Sequence, residues 1–277
     1  EVIKQWKGTV ESKIPDSIYV GLYLDNTPVN GKYIQLTKEG GWKGSFKYLG
    51  DGTYTVKELR QTTEGESAEF TIDNQNYIGV DGGGSVTTDD VTYDVTYSQG
   101  TATNNKTTYT VTNQGSWRMI KKSKSGNLFL GGAVFTLTQG GSAPVYTGTS
   151  AEETGLVTWK DEEDREVDIA TIDPGSYTLT EEAAPTGYQL GGTWEITIAN
   201  GVPISVVKTN SDGSADNTVI GEYENGILTF YYENEALYEL PGSGGTGNYW
   251  YLMGGTLLMM AASFILYRNK RKEVLGS

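Results

Sequence analysis

From residue 1 to about residue 236 this chain is written in short runs of alternating apolar and polar residues, rich in Val, Ile, Thr and Tyr and broken by clusters of Gly, Asn and Asp. Examples are SIYVGLYLD (17–25), TYTVKEL (53–59), DVTYDVTYS (90–98), AVFTLTQ (133–139), TWEITIA (193–199) and ILTFYYEN (227–234). A period of two places every second side chain on one face, which suits a half-buried strand and not a helix. No stretch before residue 249 carries a convincing helical period. Evenly spaced short strands separated by turn signals predict an all-β chain built from β-sandwiches of the immunoglobulin-like class.

Length predicts about two such domains, and the sequence divides accordingly into residues 1–114 and 115–236. Each half opens with a strand containing Trp and Lys, VIKQW (2–6) and WRMIKK (117–122). Each closes with an aromatic-rich strand ending in Asn, YTVTN (109–113) and FYYEN (230–234), and between them lies Tyr-Thr-aliphatic-x-Glu, YTVKE (54–58) and YTLTE (177–181). A module is thus repeated. The Gly-rich stretch GGGSVTTDD (82–90) reads as a loop and lacks the Lys and the strand-to-helix setting of a phosphate cradle.

Strand parity singles out three residues per module. Val2, Lys4 and Trp6 share a face, as do Tyr54, Val56 and Glu58, and Tyr109, Val111 and Asn113. The second module repeats this with Trp117, Met119 and Lys121, with Tyr177, Leu179 and Glu181, and with Phe230, Tyr232 and Asn234. A lone charge in an apolar register is commonly a strand-end residue snorkelling to water. Recurrence of all three types in the same chain order points instead to a shared chemistry. Burial disfavours the charged forms of both ionisable partners; a neutral Lys amine is a nucleophile, a protonated Glu a proton donor, and the Asn carbonyl an electrophile. The expected product is a Lys-Asn isopeptide bond, made once per module with no external substrate.

The C-terminus sets the compartment. Tyr249 to Tyr267 carries no charge and would span roughly 28 Å as a helix, enough for a bilayer. Arg268, Lys270, Arg271 and Lys272 follow it, and such residues stay on the cytoplasmic side. The expectation is a transmembrane helix at 249–267 and a basic cytoplasmic tail at 268–277, with everything earlier facing outward. A chain beginning at Glu1, without Met or export signal, is expected to lack its natural N-terminal region. The formal net charge is −14, and setting aside the net +3 of the tail leaves about −17 for the rest, a surface that repels nucleic acid. With no Cys, covalent bracing must use chemistry other than disulfides. With no His, the usual catalytic base and the commonest metal ligand are absent, and no cofactor or metal is expected.

These modules resemble the Cna B-type and SpaA-like prealbumin-fold domains of Gram-positive adhesins and pilins, whose isopeptide bonds join the first and last strands. YTLTEEAAPTGY (177–188) is similar to the pilin E-box, with Glu181 at its catalytic position, and Leu130 to Phe135 (LGGAVF) resembles the family's L-x-G-A-x-F stretch, which favours Lys121 over Lys122. In residues 1–114, Lys4 before Trp6, IPDSIYVGLYLD, Trp42 with Phe46, and YTVKE followed by VTN resemble a Cna B-type repeat, although the continuation after Glu58 departs from the E-box and the insertion from about 61 to 108 is long. The resemblance implies the triads Lys4, Glu58, Asn113 and Lys121, Glu181, Asn234. Lys7 rivals Lys4, but its parity places it with Ile3 and Gln5.

Leu240, Pro241, Gly242, Ser243 and Gly244 resemble the L-P-x-T-G sortase motif with Ser for Thr, lying in a 237–248 linker before the apolar span and basic tail. That order is the whole sorting signal. It implies cleavage by sortase between Ser243 and Gly244 and transfer to peptidoglycan or a pilin subunit as covalent acceptor, after a transient membrane stage. The expected role is a cell-wall-anchored stalk of an adhesin or a minor or basal pilin, not a multiple-turnover enzyme. Two rivals remain at this level: binding of a host matrix protein such as collagen by the modules themselves, and a stalk for a glycan-acting enzyme whose catalytic domain lies before Glu1.

Overall fold

The structure, a computed structural model, describes residues 1–100, 102–104, 106–125, 128–141, 143–209, 215–237 and 247–275. Residues Glu1–Ala236 form one compact unit and Leu237–Ser277 another. Among its described residues the regular elements of the first unit are strands and two 3-10 turns, Glu11–Lys13 and Ile169–Thr171.

Residues 2–115 form two five-stranded sheets. In one, Val2–Lys7 lies between the two-residue strand Lys43–Gly44 and Tyr109–Gly115, which is followed by Val91–Gln99 and Ser85–Thr88. In the other, Thr27–Thr37, Ser17–Leu24, Tyr54–Gln61, Gln75–Gly79 and Phe70–Ile72 are neighbours in that order. Val2, Trp6, Tyr93, Val95 and Val111 of the first sheet pack with Val20, Leu22, Leu36 and Val56 of the second as one core. A small second cluster, Tyr23, Leu59, Phe70 and Ile72, covers the other side of that second sheet.

Residues 117–234 form a three-stranded sheet, Trp117–Ser123, Ile227–Asn234 and Glu222–Glu224, with an eight-stranded one centred on Val134–Gln139 and Gly175–Ala183. Their core joins Trp117, Met119, Phe230 and Tyr232 to Phe135, Leu137, Trp159, Leu179, Trp194 and Ile196. The all-β expectation of paired-sheet sandwiches therefore holds, and in each the first and last strands pair in parallel.

The turns explain how the strands close up. Asp25-Asn26, Asp73-Asn74, Asp89-Asp90, Asn200-Gly201 and Asn225-Gly226 each join two strands with both φ angles positive. This is the two-residue hairpin geometry whose twist matches that of its strands, and Asn, Asp and Gly tolerate it best. The stretch 82–90 is not simply a loop. Ser85–Thr88 is a strand that pairs with Val91–Gln99 across the Asp89-Asp90 turn, and Val86 is buried. The glycines only lead into it, and Val and Thr then satisfy the sheet.

The second unit holds a helix, Gly247–Leu275, which covers the expected 249–267 and continues through the basic tail. Among the described residues no helix is long and apolar enough to cross a membrane. The sorting motif Leu240 to Gly244 lies outside the described residues.

Candidate functional site

The structure brings Lys4, Glu58 and Asn113 together, and separately Lys121, Glu181 and Asn234. All six are buried, none above 4% exposed. Lys and Asn come from the parallel first and last strands of one sheet. Glu comes from the sheet facing it, on Tyr54–Gln61 in one sandwich and Gly175–Ala183 in the other.

In the first group Lys4 Nζ donates to Glu58 Oε2 at 2.7 Å, and Asn113 Nδ2 donates to Glu58 Oε1 at 3.0 Å. The carboxylate thus stands between the amine and the amide. Trp6 lays its ring 4.5 Å from the Lys4 ammonium. In the second group Lys121 Nζ lies 3.0 Å from Glu181 Oε1, close enough for an ion pair but too far off line for a hydrogen bond. Asn234 Nδ2 donates to both Glu181 oxygens at 2.9 Å, and the Gly191 amide donates to Oε2 at 2.6 Å. The Tyr232 ring sits 4.4 Å from Lys121 Nζ.

Burial pushes both Lys amines down to about 8, against the opposing pull of the neighbouring Glu charge. The carbonyl oxygens of Asn113 and Asn234 are buried without a hydrogen-bond partner. An orphaned acceptor in a dry core has an energetic cost, and here it marks the carbonyl as the group left open to a proton donor or nucleophile. The rival lysines stand elsewhere: Lys7 is exposed, and Lys122 is half-buried beside the Tyr231 ring, 3.3 Å from Glu233 Oε1.

Several supporting groups are not evident from the pattern of the six. Tyr97 accepts from the Glu58 amide through its hydroxyl and donates to the Val80 carbonyl, fixing the strand at Glu58. Gly155, with φ +64°, accepts from the Lys121 amide at its carbonyl, and a Cβ there would stand 2.1 Å from the Lys121 carbonyl oxygen. Gly131, in the LGGAVF stretch, has no room for a side chain against the backbone of Glu152. The Gly191-Gly192 doublet was the available sequence signal for the donor to Glu181. Among the described residues no cluster of His, Cys, Asp or Glu could hold a metal ion.

Away from these groups a cleft of about 1090 Å³ opens beside Glu1, lined among others by Phe46, Leu49, Tyr54 and Tyr109.

Comparison with known proteins adds two assignments. Residues 115–212 match the SpaA family, described as a prealbumin-like fold domain, and residues 233–274 match the LPXTG cell wall anchor motif. The chain is a cell-wall-attached surface protein with a SpaA-type prealbumin-like domain. No curated protein matches it. Among solved structures, this wall-anchored chain is similar to the pilus adhesin SpaC of Lactobacillus rhamnosus GG, at 23% identity over 85% of this chain and 28% of that one, TM-score 0.29. A C-terminal fragment of the same adhesin matches at 22% identity over 87% of this chain and 98% of that one, TM-score 0.30. GBS52, the minor pilin of Streptococcus agalactiae, matches at 12% over 87% and 98%, TM-score 0.25. The chain thus spans little more than a quarter of the longer SpaC structure.

Proposed function

We propose that this chain is the wall-proximal stalk of an adhesin or a minor or basal pilin, made of two modules (1–114 and 115–236) that each lock themselves with a Lys-Asn isopeptide bond. The observation that carries the reading is the repeated placement of a buried carboxylate between a buried amine and a buried amide.

The chemistry follows from those contacts. Lys passes a proton to Glu, leaving a neutral amine and an acid. The Asn amide turns over so that the acid donates to its carbonyl oxygen, and Nζ attacks the carbonyl carbon. The Nζ–C bond forms, the C–Nδ2 bond breaks, and the amide nitrogen leaves as ammonia with the hydrogen given up by the amine. One proton remains on Glu, so charge and atoms balance. The water-poor core strengthens each of these interactions. Lys4 joins Asn113 and Lys121 joins Asn234, and the chemistry happens once.

At the other end, sortase cleaves between Ser243 and Gly244 and passes the Ser243 carboxyl to a peptidoglycan or pilin amine. Everything after Ser243, the helix included, leaves with the cleavage. Leu240→Ala should keep the chain out of the covalent wall fraction, and wall attachment of that variant equal to wild type would overturn the sorting step.

The cross-links are tested by intact mass of the full chain, which should be short by two ammonia molecules, with one regained on Glu58→Ala or Glu181→Ala. A folded chain of unmodified mass would sink the cross-link reading. A host matrix ligand is the second reading, favoured by the aromatic-lined cleft beside Glu1. Saturable binding of a matrix protein, abolished by Phe46→Ser, would establish it.

A further inference from the structure

Two hairpin turns of the second sandwich press on the first. The Asn200-Gly201 turn joins Thr193–Ala199 to Val202–Thr209, and both its φ angles are positive. Its Asn200 carbonyl accepts from the Gly8 amide at 2.6 Å, while Asn200 Nδ2 donates to the Trp6 carbonyl at 2.8 Å. The Asn225-Gly226 turn accepts from the Thr92 amide at the Gly226 carbonyl, 3.0 Å away, so closely that a Cβ on Gly226 would stand 2.1 Å from Thr92 Oγ1.

The strands held in this way are the two that flank Asn113. Trp6 is its register partner on one side and Val95, in the strand that contains Thr92, is its partner on the other. Trp6 also carries the ring that covers Lys4. Gly8 and Gly115 meet back to back just beyond, where a Cβ on Gly8 would stand 1.9 Å from the Gly115 carbonyl oxygen. Within its own sandwich the Lys4 strand pairs along its whole length with the Asn113 strand. On its outer edge, among the described residues, it meets the two-residue strand Lys43–Gly44 and gives one bond from the Lys4 amide to the Trp42 carbonyl. The Lys121 strand, in contrast, is held within its own sandwich by Gly155 and Leu130.

We infer that Asn200 is a positioning residue for the first cross-link: through the Trp6 carbonyl it sets Lys4 against Asn113, so that the first bond forms quickly only on a folded second sandwich. The inference rests on the cross-link reading above. It makes maturation directional, with the wall-proximal module closing first and then templating the distal one.

The test follows the full chain made in a cell-free system, quenched in denaturant over time and digested, so that the Lys4–Asn113 and Lys121–Asn234 peptides are counted separately. Asn200→Gly keeps the turn and its main-chain acceptor but deletes the donor. Asn200→Asp sets an acceptor against the Trp6 carbonyl. The first bond should form a few-fold more slowly in the Gly variant and about tenfold more slowly in the Asp variant, from loss of one hydrogen bond and then repulsion. The second bond should keep its wild-type rate in the same molecules. Asn26→Asp, at an exposed turn of the first sandwich, should change neither rate and so separates positioning from a general turn defect. A wild-type rate for the first bond in Asn200→Asp would overturn the inference, as would equal slowing of both bonds. Absence of both cross-linked peptides from the wild-type chain would overturn the cross-link reading itself.

Discussion

Lys4 sits two residues out of step with Asn113 across a parallel strand pair: Lys4 is opposite Val111, and Asn113 is opposite Trp6. The second sandwich repeats the offset, with Lys121 opposite Tyr232 and Asn234 opposite Ser123. An offset of two keeps both side chains on the core face. It also lets the long Lys side chain lean along the strand to the shorter Asn, with Glu above both. A one-residue slip would send one of them to the other face, so register and chemistry are specified together.

Replacing the amine while keeping the charge should isolate the nucleophile. Arg cannot be deprotonated in a protein, so Lys4→Arg should lose ammonia from the second module alone and Lys121→Arg from the first alone, read by intact mass. Loss of both ammonia molecules from either variant would show that another lysine reacts.

The pH dependence separates two mechanisms. Burial lowers each Lys to about 8, so above that pH the amine carries no proton to pass to Glu. If Glu must act as an acid, the rate of ammonia release should be flat up to about pH 8 and then fall by about tenfold per pH unit. If a neutral amine alone were limiting, the rate would rise through pH 8 instead. Refolding an unreacted chain across pH 6–10, with cross-linked peptide as the readout, decides between them.

The strand pattern and the six buried polar residues were legible because period-two parity is local: a Lys at position 4 between Val2 and Trp6 is conspicuous in any one sequence. The strand Ser85–Thr88 is hidden in the sequence by the three glycines before it, which mask the short Val-Thr-Thr run that follows. The helix was legible from its uncharged run, although its extension through the basic tail was not. The supports of the site were illegible for a different reason. Asn200 meets Trp6 across 194 positions, and Gly155 meets Lys121 through main-chain atoms that no side-chain pattern records.

Two glycines near the second site should respond differently to alanine. Gly155 and Gly187 both have positive φ, but a Cβ on Gly155 meets the Lys121 carbonyl, whereas nothing lies within 4 Å of one on Gly187. Gly187→Ala should therefore cost only the backbone strain, about 1 kcal/mol. Gly155→Ala adds displacement of the Lys121 strand, for a total of about 2–4 kcal/mol and slower formation of the second bond. Denaturant midpoints compared with cross-link yield would check both; equal costs would mean that the Gly155 contact is readily relaxed.

The stability that the proposed bond would contribute needs a variant that leaves no lone buried charge, because such a charge costs several kcal/mol on its own. Lys121→Met combined with Glu181→Leu removes both charges and keeps apolar bulk between Tyr232 and Phe135, which pack at 5.0 Å between ring centroids. Replacement of a buried pair in this way is close to neutral or stabilising, and once the Asn234 and Gly191 donors left without Glu181 are allowed for, at about 1–3 kcal/mol each, the remaining loss reports the missing link. Closing a loop of about a hundred residues stabilises by roughly 4.7 kcal/mol in the chain-entropy treatment of disulfides. The second sandwich should then melt on the order of 10–20 °C lower than in the wild type, while the first, still linked, keeps its transition. In a pulling experiment the double variant should extend by the whole length of its second module, and the wild type only by the few residues outside the Lys-Asn links. Full extension of the wild-type chain would mean that load does pass through the folded sandwiches.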